Sequence, residues 1–157
     1  MDGEARHRVL EQFTYGVYAV TARDPAGRTA AFTASWVTQC SFQPPMVAVA
    51  VENGTDPMAA LQPGATFAVN VLAAGQEEVA RTLARRDDPQ KAGRVAYGQG
   101  STGCPVLRDA LGWVECRVTG STPTGDHTLF LGEVLDAGAG GSGRPLTAAE
   151  SGLRYAG

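Results

Sequence analysis

Residues 33–52 read TASWVTQCSFQPPMVAVAVE, and this stretch contains parts of two predicted β-strands. It begins inside TAAFTASW (29–36), whose threonine and aromatic content predicts a strand. After Pro44-Pro45 comes MVAVAVE (46–52), a second predicted strand that is apolar on both faces. A strand without a polar face is covered on both sides, as in a barrel that also packs on a partner. The stretch therefore predicts a β-barrel with an interface to another subunit.

The sequence on either side of this stretch also predicts mainly β structure. Further strands are predicted at 16–22, 66–72, 112–120 and 127–138, and helices at 4–13 and 75–86. Residues 53–62 are predicted to be a loop that enters a short helix. The charged and glycine-rich residues 87–103 predict a surface excursion. Five or six strands with short flanking helices indicate a closed barrel of Greek-key type. The length predicts one domain spanning residues 1–157.

The composition argues against nucleic acid and membrane as binding partners. Lys and Arg number 13 against 16 Asp and Glu, a net charge of −3, and the sequence contains no basic run. Nucleic-acid binding needs a cationic face, so that class is set aside. No apolar stretch approaches the ~20 residues of a membrane span, and the polar first residues do not read as a signal peptide. We expect a cytoplasmic protein with neither a membrane nor a nucleic-acid partner.

Cysteine and histidine usage argues against metal and disulfide chemistry. The three cysteines, Cys40, Cys104 and Cys116, are odd in number and form no CxxC pair. Reduced thiols fit a cytoplasmic protein, and Cys40 is expected to be a small buried side chain. Since His7 and His127 are the two histidines, no metal site is predicted.

The common catalytic motifs are missing from the sequence. It contains no GxGxxG after a strand, no P-loop, no GxSxG and no HExxH. Its carboxylates are scattered over predicted surface. A chain with so few placed acids and bases is better suited to a bound cofactor that supplies the chemistry.

Five segments in order carry a resemblance to a known family. They are FTYGVYAVTA (13–22), the stretch 33–52, FAVNVL (67–72) followed by Gln76, the GDH triplet (125–127) and the tail PLTAAESGLRYAG (145–157). Together they resemble the flavin reductase-like, FMN-binding split barrels. The resemblance implies a split β-barrel of Greek-key type, a homodimer, FMN (with FAD as an alternative) as flavin, and NADH or NADPH as co-substrate.

The resemblance also implies which residues meet the flavin. The ring would be lined by the segment around the TAS motif: Thr33, Ala34, Ser35, Trp36, Thr38 and Gln39. A planar ring needs an apolar wall and a few polar partners, which these residue types provide. Without the resemblance, the same residues read as ordinary strand and core positions.

The flavin phosphate would lie near the loop NGTD (53–56), because a helix N-terminus attracts anions. Asn53 and Thr55 fit this role, whereas the carboxylate of Asp56 would repel a phosphate. Arg85 and Arg86 are alternative cations, although arginines at the end of a helix are usually solvated.

Asn70 stands in an otherwise apolar strand, and a buried asparagine must be hydrogen-bonded. Two roles are open for it: a bond to the ribityl chain or phosphate of the flavin, or a tie to a neighbouring loop.

His127 follows Gly125-Asp126 at the start of a predicted strand. The resemblance implies that it lies at the mouth of the flavin pocket near the nicotinamide, as the catalytic residue. The alternative is a structural histidine oriented by Asp126. Trp113 and Tyr155 are candidates for stacking on a ring or on a partner subunit, with packing as the alternative.

The function that the resemblance implies is an NAD(P)H-dependent flavin reductase. Hydride passes from nicotinamide to flavin, and the reduced flavin can supply a partner monooxygenase. Two alternatives remain open: a flavoredoxin-like electron carrier with tightly bound FMN, and a non-catalytic flavin-binding dimer.

Overall fold

The computed structural model describes residues 1–154, so the role predicted for Tyr155 lies outside the described residues. The strands are β1 (Tyr18–Arg23), β2 (Thr29–Ala34), β3 (Val37–Phe42), β4 (Pro45–Glu52), β5 (Thr66–Val71), β6 (Tyr97–Gln99), β7 (Pro105–Leu107), β8 (Gly112–Pro123) and β9 (His127–Ala139). The α-helices are α1 (Gly3–Leu10), α2 (Glu77–Ala84) and α3 (Ala148–Ser151), and short 3-10 helices cover Asp56–Ala60 and Lys91–Arg94.

Seven strands form one antiparallel sheet in the order β2-β1-β5-β8-β9-β4-β3. The chain passes from β4 to β5 across the β8–β9 hairpin, which is a Greek-key connection. The two edge strands, β2 and β3, follow each other in the chain but are not paired within the described sheet. The predicted mainly β, split barrel is therefore confirmed, whereas the expectation of a closed barrel is wrong.

One hydrophobic core shows that this sheet is curled. Val20 of β1, Val49 of β4 and Phe67 of β5 are fully buried in the same cluster. Ala34 of β2 and Val37 of β3 also contact this cluster, although their strands are at opposite ends of the sheet order. Strands that far apart share a core only when the sheet curls into a barrel.

A second cluster covers the outer side of β1, β2 and β5. Ala19, Ala31 and Leu72 pack there against Ala80 and Leu83 of α2. The helix is therefore fixed on the barrel by its apolar face. It is shorter at both ends than the predicted 75–86, whereas α1 begins one residue before the predicted 4–13 and ends three residues earlier.

The outer side of β4 and β9 is apolar but only partly covered. Ala50 pairs with Leu129 and Ala48 with Leu131, so these four side chains share one face, together with Met46. All are half-buried except Ala48, which is buried. We call these five residues the outer patch. Strand β4 therefore has one face in the core and one face that the single chain covers incompletely.

Strand β3 was not predicted, because its sequence VTQCSF is polar and lies on an exposed edge of the sheet. Polar residues and bulges are common on edge strands, where they discourage unwanted pairing. The register shifts between Gln39 and Ser41, and Cys40 at that irregularity is exposed. The expectation of a buried Cys40 is therefore wrong, while Cys104 and Cys116 are buried.

The predicted excursion 87–103 contains structure that the sequence did not indicate, including β6 and a loop anchored by Glu115. Glu115 of β8 is fully buried and accepts hydrogen bonds from the N–H groups of Ser101 (2.8 Å) and Thr102 (3.0 Å) and from both hydroxyls. A side chain at Gly100 would collide with this carboxylate. The expectation that all carboxylates lie on the surface is wrong for Glu115, whose two carboxyl oxygens accept hydrogen bonds from four donors in the interior.

Replacing Glu115 with glutamine should destabilise the fold. The change turns one acceptor oxygen into an NH₂ group facing N–H donors, and we expect a loss of about 2–4 kcal/mol in the free energy of unfolding. The matched control is Glu133→Gln, since Glu133 forms an exposed ion pair with Arg117 (2.9 Å). Exposed pairs contribute about 0–1 kcal/mol. Urea denaturation measures both variants, and equal losses would contradict the anchoring role.

Candidate functional site

The chain turns from β2 into β3 at Ser35-Trp36, where the barrel is split. The Val37 N–H donates to the Ser35 carbonyl (3.0 Å), and the Ala50 N–H donates to the Trp36 carbonyl (3.0 Å). These bonds fix the corner against β4. Ser35 is buried and Trp36 is half-buried. The corner thus has a rigid backbone and places an indole ring at the end of the sheet.

A row of aromatic rings begins at this corner. The rings of Trp36 and His127 have centroids 4.8 Å apart, and those of Tyr15 and Trp36 are 6.5 Å apart. Phe13 continues the row at 6.5 Å from Tyr15. These separations lie in the range of favourable aromatic contacts, about 4.5–7 Å. This aromatic row (Phe13, Tyr15, Trp36, His127) provides ring surfaces beside which a planar ligand can lie.

His127 begins β9 and is held by its neighbours. Its Nδ1 lies 2.6 Å from Oδ1 of Asp126, and its side chain is 9% exposed. The hydrogen bond from His127 lowers the pKa of Asp126, so Asp126 is ionised at neutral pH. A carboxylate on one ring nitrogen fixes the orientation of an imidazole. The structure therefore shows the orienting contact with Asp126 and places His127 beside Trp36.

Asn53 supports the turn that precedes His127. Its side-chain amide donates to the Gly125 carbonyl (2.9 Å) and accepts from the Thr128 hydroxyl (2.7 Å). The Thr55 hydroxyl donates to the Glu52 carbonyl (2.7 Å). Both predicted phosphate residues thus have hydrogen bonds within the chain. The following helix is a 3-10 helix of 5 residues, and its N-cap, Thr55, makes no side-chain capping bond.

An ion pair lies at the same end of β4. Glu52 is the residue of β4 that pairs with His127, and its carboxylate is bound by Arg86 through both guanidinium Nη atoms. The Nη1 contact is 3.1 Å long. Arg85, the other predicted cation, pairs with Asp87 instead (3.3 Å). Of the two arginines, the structure brings Arg86 to the site.

Two residues of the TAS segment face away from the aromatic row. The Thr33 hydroxyl donates to the Ala80 carbonyl of α2 (2.6 Å), and Ala34 lies in the barrel core. Thr38 and Gln39 follow the corner on the exposed strand β3. The structure thus brings Ser35, Trp36, Asn53 and His127 together but not Thr33 and Ala34.

Asn70 is fully buried, and its amide is used within the chain. It donates to the Ala19 carbonyl (2.8 Å) and the Thr21 hydroxyl (3.0 Å) and accepts from the Leu107 N–H (2.8 Å). It therefore ties β5 to β1 and β7. Of the two roles open from the sequence, the geometry favours the structural one.

Tyr15 and Glu52 were missed as site residues by sequence reasoning. Tyr15 carries no motif that separates it from an ordinary aromatic residue before a strand. Glu52 ends an apolar strand and reads as a solvated charge. Only its cross-strand pairing with His127 reveals its position.

In the part of the chain that the structure describes, no helix has both the length and the apolar character needed to cross a membrane. Residues 1–154 contain no cluster of three or more His, Cys, Asp or Glu side chains suited to holding a metal ion.

The chain is similar to known proteins in sequence. A family model described as a flavin reductase like domain matches residues 10–157. An NADH:riboflavin 5'-phosphate oxidoreductase from Streptomyces pristinaespiralis is 33% identical over 136 residues, covering 87% of this chain and 77% of the relative. Two relatives from Rhizobium meliloti, at 33% and 31% identity, are much longer, since the chain spans only 42% and 57% of their lengths.

Solved structures are also similar. The Streptomyces globisporus NADH:FAD oxidoreductase SgcE6, solved with NAD and FAD fragments, superposes with a TM-score of 0.84 at 31% identity, covering 99% of this chain and 93% of that one. BorF, the flavin reductase component of a bacterial two-component tryptophan halogenase, gives a TM-score of 0.82 at 32% identity, with 98% and 97% coverage.

Replacing Asn70 with alanine separates its two roles. The variant leaves the Leu107 N–H without its buried acceptor, and we expect the free energy of unfolding to fall by about 2–4 kcal/mol. Flavin affinity of the folded protein should be unchanged. Urea denaturation and fluorescence titration with FMN measure the two effects. A stable variant with weakened FMN binding would show that Asn70 meets the ligand after all.

Proposed function

The chain belongs to the flavin reductase-like family, and from that premise we propose that it is an NAD(P)H-dependent flavin reductase acting on FMN, with FAD as an alternative. The observation that carries the proposal is the corner at Ser35-Trp36, where Trp36 packs against a histidine that Asp126 holds in place. This is the corner that the family resemblance assigns to the flavin.

The residues at the corner fit a flavin ring. Trp36 and His127 offer ring surfaces, and Ser35 offers a hydroxyl and backbone groups, which is the mixture of apolar wall and polar partners that such a ligand needs. Thr38 and Gln39 extend the lining along β3, with Thr33 and Ala34 behind it. Asn53 and Thr55 lie on the side of the site where the phosphate of the flavin is expected. Bound flavin supplies the chemistry by accepting hydride from the nicotinamide.

His127 is proposed to position the nicotinamide, and Asp126 to position His127. Hydride transfer between two stacked rings needs close alignment and little acid–base assistance. The short contact between Nδ1 and Asp126 restrains the imidazole, so the ring presents a fixed surface next to Trp36. The chain thus contributes orientation rather than proton transfer.

Relatives support the choice of flavin and nucleotide. One relative is named for NADH and riboflavin 5'-phosphate, and the neighbour SgcE6 for NADH and FAD. We propose the same pairs of ligands here, with NADH or NADPH as donor. BorF is the reductase component of a two-component halogenase, which supports a flavin-dependent monooxygenase or halogenase as the consumer of reduced flavin.

We also propose that the protein is a homodimer and a single domain over residues 1–157, located in the cytoplasm. The outer patch is apolar and incompletely covered, and such patches mark interfaces. His127 begins the same strand, β9, so a partner on the patch would lie close to the site. The free cysteines among the described residues fit a reducing compartment.

Anaerobic mixing tests the activity. Purified protein with FMN and NADH or NADPH should bleach the flavin absorbance while oxidising the nicotinamide. The control is the same mixture without protein. Tight FMN binding with no bleaching by either nucleotide would contradict the reductase and favour the electron carrier. Failure to bind FMN, FAD or riboflavin would contradict both functions.

Replacing His127 with alanine tests the positioning role. We expect hydride transfer to slow by on the order of a hundredfold, because a misplacement of about 1 Å has that effect, and nicotinamide binding to weaken. Flavin affinity should be nearly unchanged. Stopped-flow reduction with a melting curve of the same variant measures this. Wild-type rates in a destabilised variant would make His127 purely structural.

Introducing a charge into the outer patch tests the dimer. Leu131→Glu should shift the protein toward monomer in sedimentation at micromolar concentration, since it places a carboxylate in an apolar interface. Val9→Glu on α1 is the matched control, because Val9 is 57% exposed and lies outside the patch. A wild-type monomer that binds flavin fully would contradict the dimer.

A further inference from the structure

The ion pair between Glu52 and Arg86 lies beside the proposed flavin site. Glu52 is the cross-strand partner of His127, and the His127 ring contacts Trp36. Directly paired residues of antiparallel strands have Cβ atoms about 4.5–5.5 Å apart. The Arg86 guanidinium is therefore held, through Glu52, within reach of a ligand whose ring lies along the aromatic row.

This pair links segments that are far apart in sequence. It joins residues separated by 34 positions, whereas the next longest ion pair within residues 1–154 joins residues 16 apart, Arg117 and Glu133. Both groups remain accessible, with 66% of the Arg86 side chain and 32% of the Glu52 side chain exposed. An exposed pair contributes little to stability, so a better anion can take the place of the carboxylate.

Arg86 is the cation best placed to change its partner. Its neighbours Arg85 and Arg94 bind Asp87 and Asp88 within their own segment. Lys91, half-buried against the end of α2, donates to the Leu83 carbonyl (2.8 Å). Arg86 instead binds Glu52 at the end of β4, next to the proposed site. Its planar fork matches a phosphate in the same bidentate way as a carboxylate.

The residues first expected to hold a phosphate have other bonds. The Asn53 amide binds the turn before His127, and the Thr55 hydroxyl binds the Glu52 carbonyl. A dianionic phosphate near this loop therefore needs a different counter-charge. Arg86 supplies one, because its guanidinium reaches Glu52 at the end of β4.

We propose that Arg86 is the phosphate-binding residue of the site and that Glu52 is an internal competitor, whose carboxylate occupies the guanidinium until a ligand phosphate displaces it. This inference rests on the proposed function. The ligand chemistry is a phosphate ester, either the 5'-phosphate of the flavin or the 2'-phosphate of NADPH. Glu52 thereby sets how strongly the site prefers phosphorylated ligands over their unphosphorylated counterparts.

Binding measurements on the full chain test the proposal without any turnover. Isothermal titration compares FMN with riboflavin, and NADP⁺ with NAD⁺ on the flavin-loaded protein. Wild type should bind the phosphorylated member of one pair at least about tenfold more tightly, as expected for charge-assisted hydrogen bonds. In Arg86→Gln that ratio should fall to about one, with affinity for the unphosphorylated member unchanged. Which pair responds identifies the source of the phosphate.

Glu52→Gln separates competition from a structural role. Both variants break the same ion pair, so a purely structural pair predicts losses in the same direction. The proposal predicts opposite directions, with Glu52→Gln binding the phosphorylated ligand several-fold more tightly than wild type. Arg85→Gln is the matched control and should keep the wild-type ratio.

Two results would overturn the proposal: wild-type ratios in Arg86→Gln for both ligand pairs, or weakened phosphate-ligand binding in Glu52→Gln. Riboflavin binding shows whether only the phosphate subsite is wrong or the whole proposed flavin site. If all variants bind riboflavin as wild type does but show no phosphate preference, the subsite is wrong and the flavin site stands. If wild type binds no flavin at all, the proposed function fails and the subsite with it.

Discussion

Strands β2 and β3 follow each other in the chain but form the two unpaired edges of the main sheet, and this gap determines where a ligand can enter the barrel. Every other neighbouring pair in the main sheet is joined by an antiparallel ladder, so the sheet curls around one core and has two free edges. Those edges belong to consecutive strands, and the chain must turn sharply between them. The turn exposes the corner at Ser35-Trp36 at the end of the barrel. A barrel closed by hydrogen bonds at this point would leave no such corner for a ligand.

Polar side chains hold strands and loops of the barrel in register. Asn70 ties three strands together, and Glu115 fixes the loop over β8, each with its hydrogen bonds satisfied inside the protein. Asn53 performs a similar task near the surface by holding the turn that presents His127. Such groups specify geometry, because a displaced partner would leave a buried polar atom unsatisfied. Of these groups, Asn53 lies next to His127, where the proposed chemistry needs alignment.

Much of the fold is readable from the sequence, and the reasons are local. Strand β4 is apolar up to its last residue, and the β8–β9 hairpin has a glycine-containing turn, so both are predicted with nearly their observed bounds. Strand β3 is missed because an exposed edge strand carries polar residues and a bulge. Glu115 and Asn70 show the limit of such reasoning. The sequence indicates that a polar residue stands among apolar ones but not which distant groups will meet it.

The site is less predictable, because it depends on cross-strand pairing. The contact of Trp36 with His127 joins residues 91 positions apart in the sequence, and Glu52 enters the site only through its register with β9. The resemblance to flavin reductases supplied His127 and the TAS segment. It did not distinguish residues facing the corner, such as Ser35, from Thr33, whose hydroxyl is bound to α2.

We propose that flavin lies against Trp36, where the barrel is split. The chain has two tryptophans, Trp36 and Trp113, so its indole N–H groups give two resolvable signals in a proton–nitrogen correlation spectrum, assigned with Trp36→Phe and Trp113→Phe. Titration with FMN should shift or broaden the Trp36 signal, because a stacked flavin ring changes the local magnetic field, and should leave the Trp113 signal in place. Saturating FMN that moves the Trp113 signal alone, or neither signal, would contradict the account.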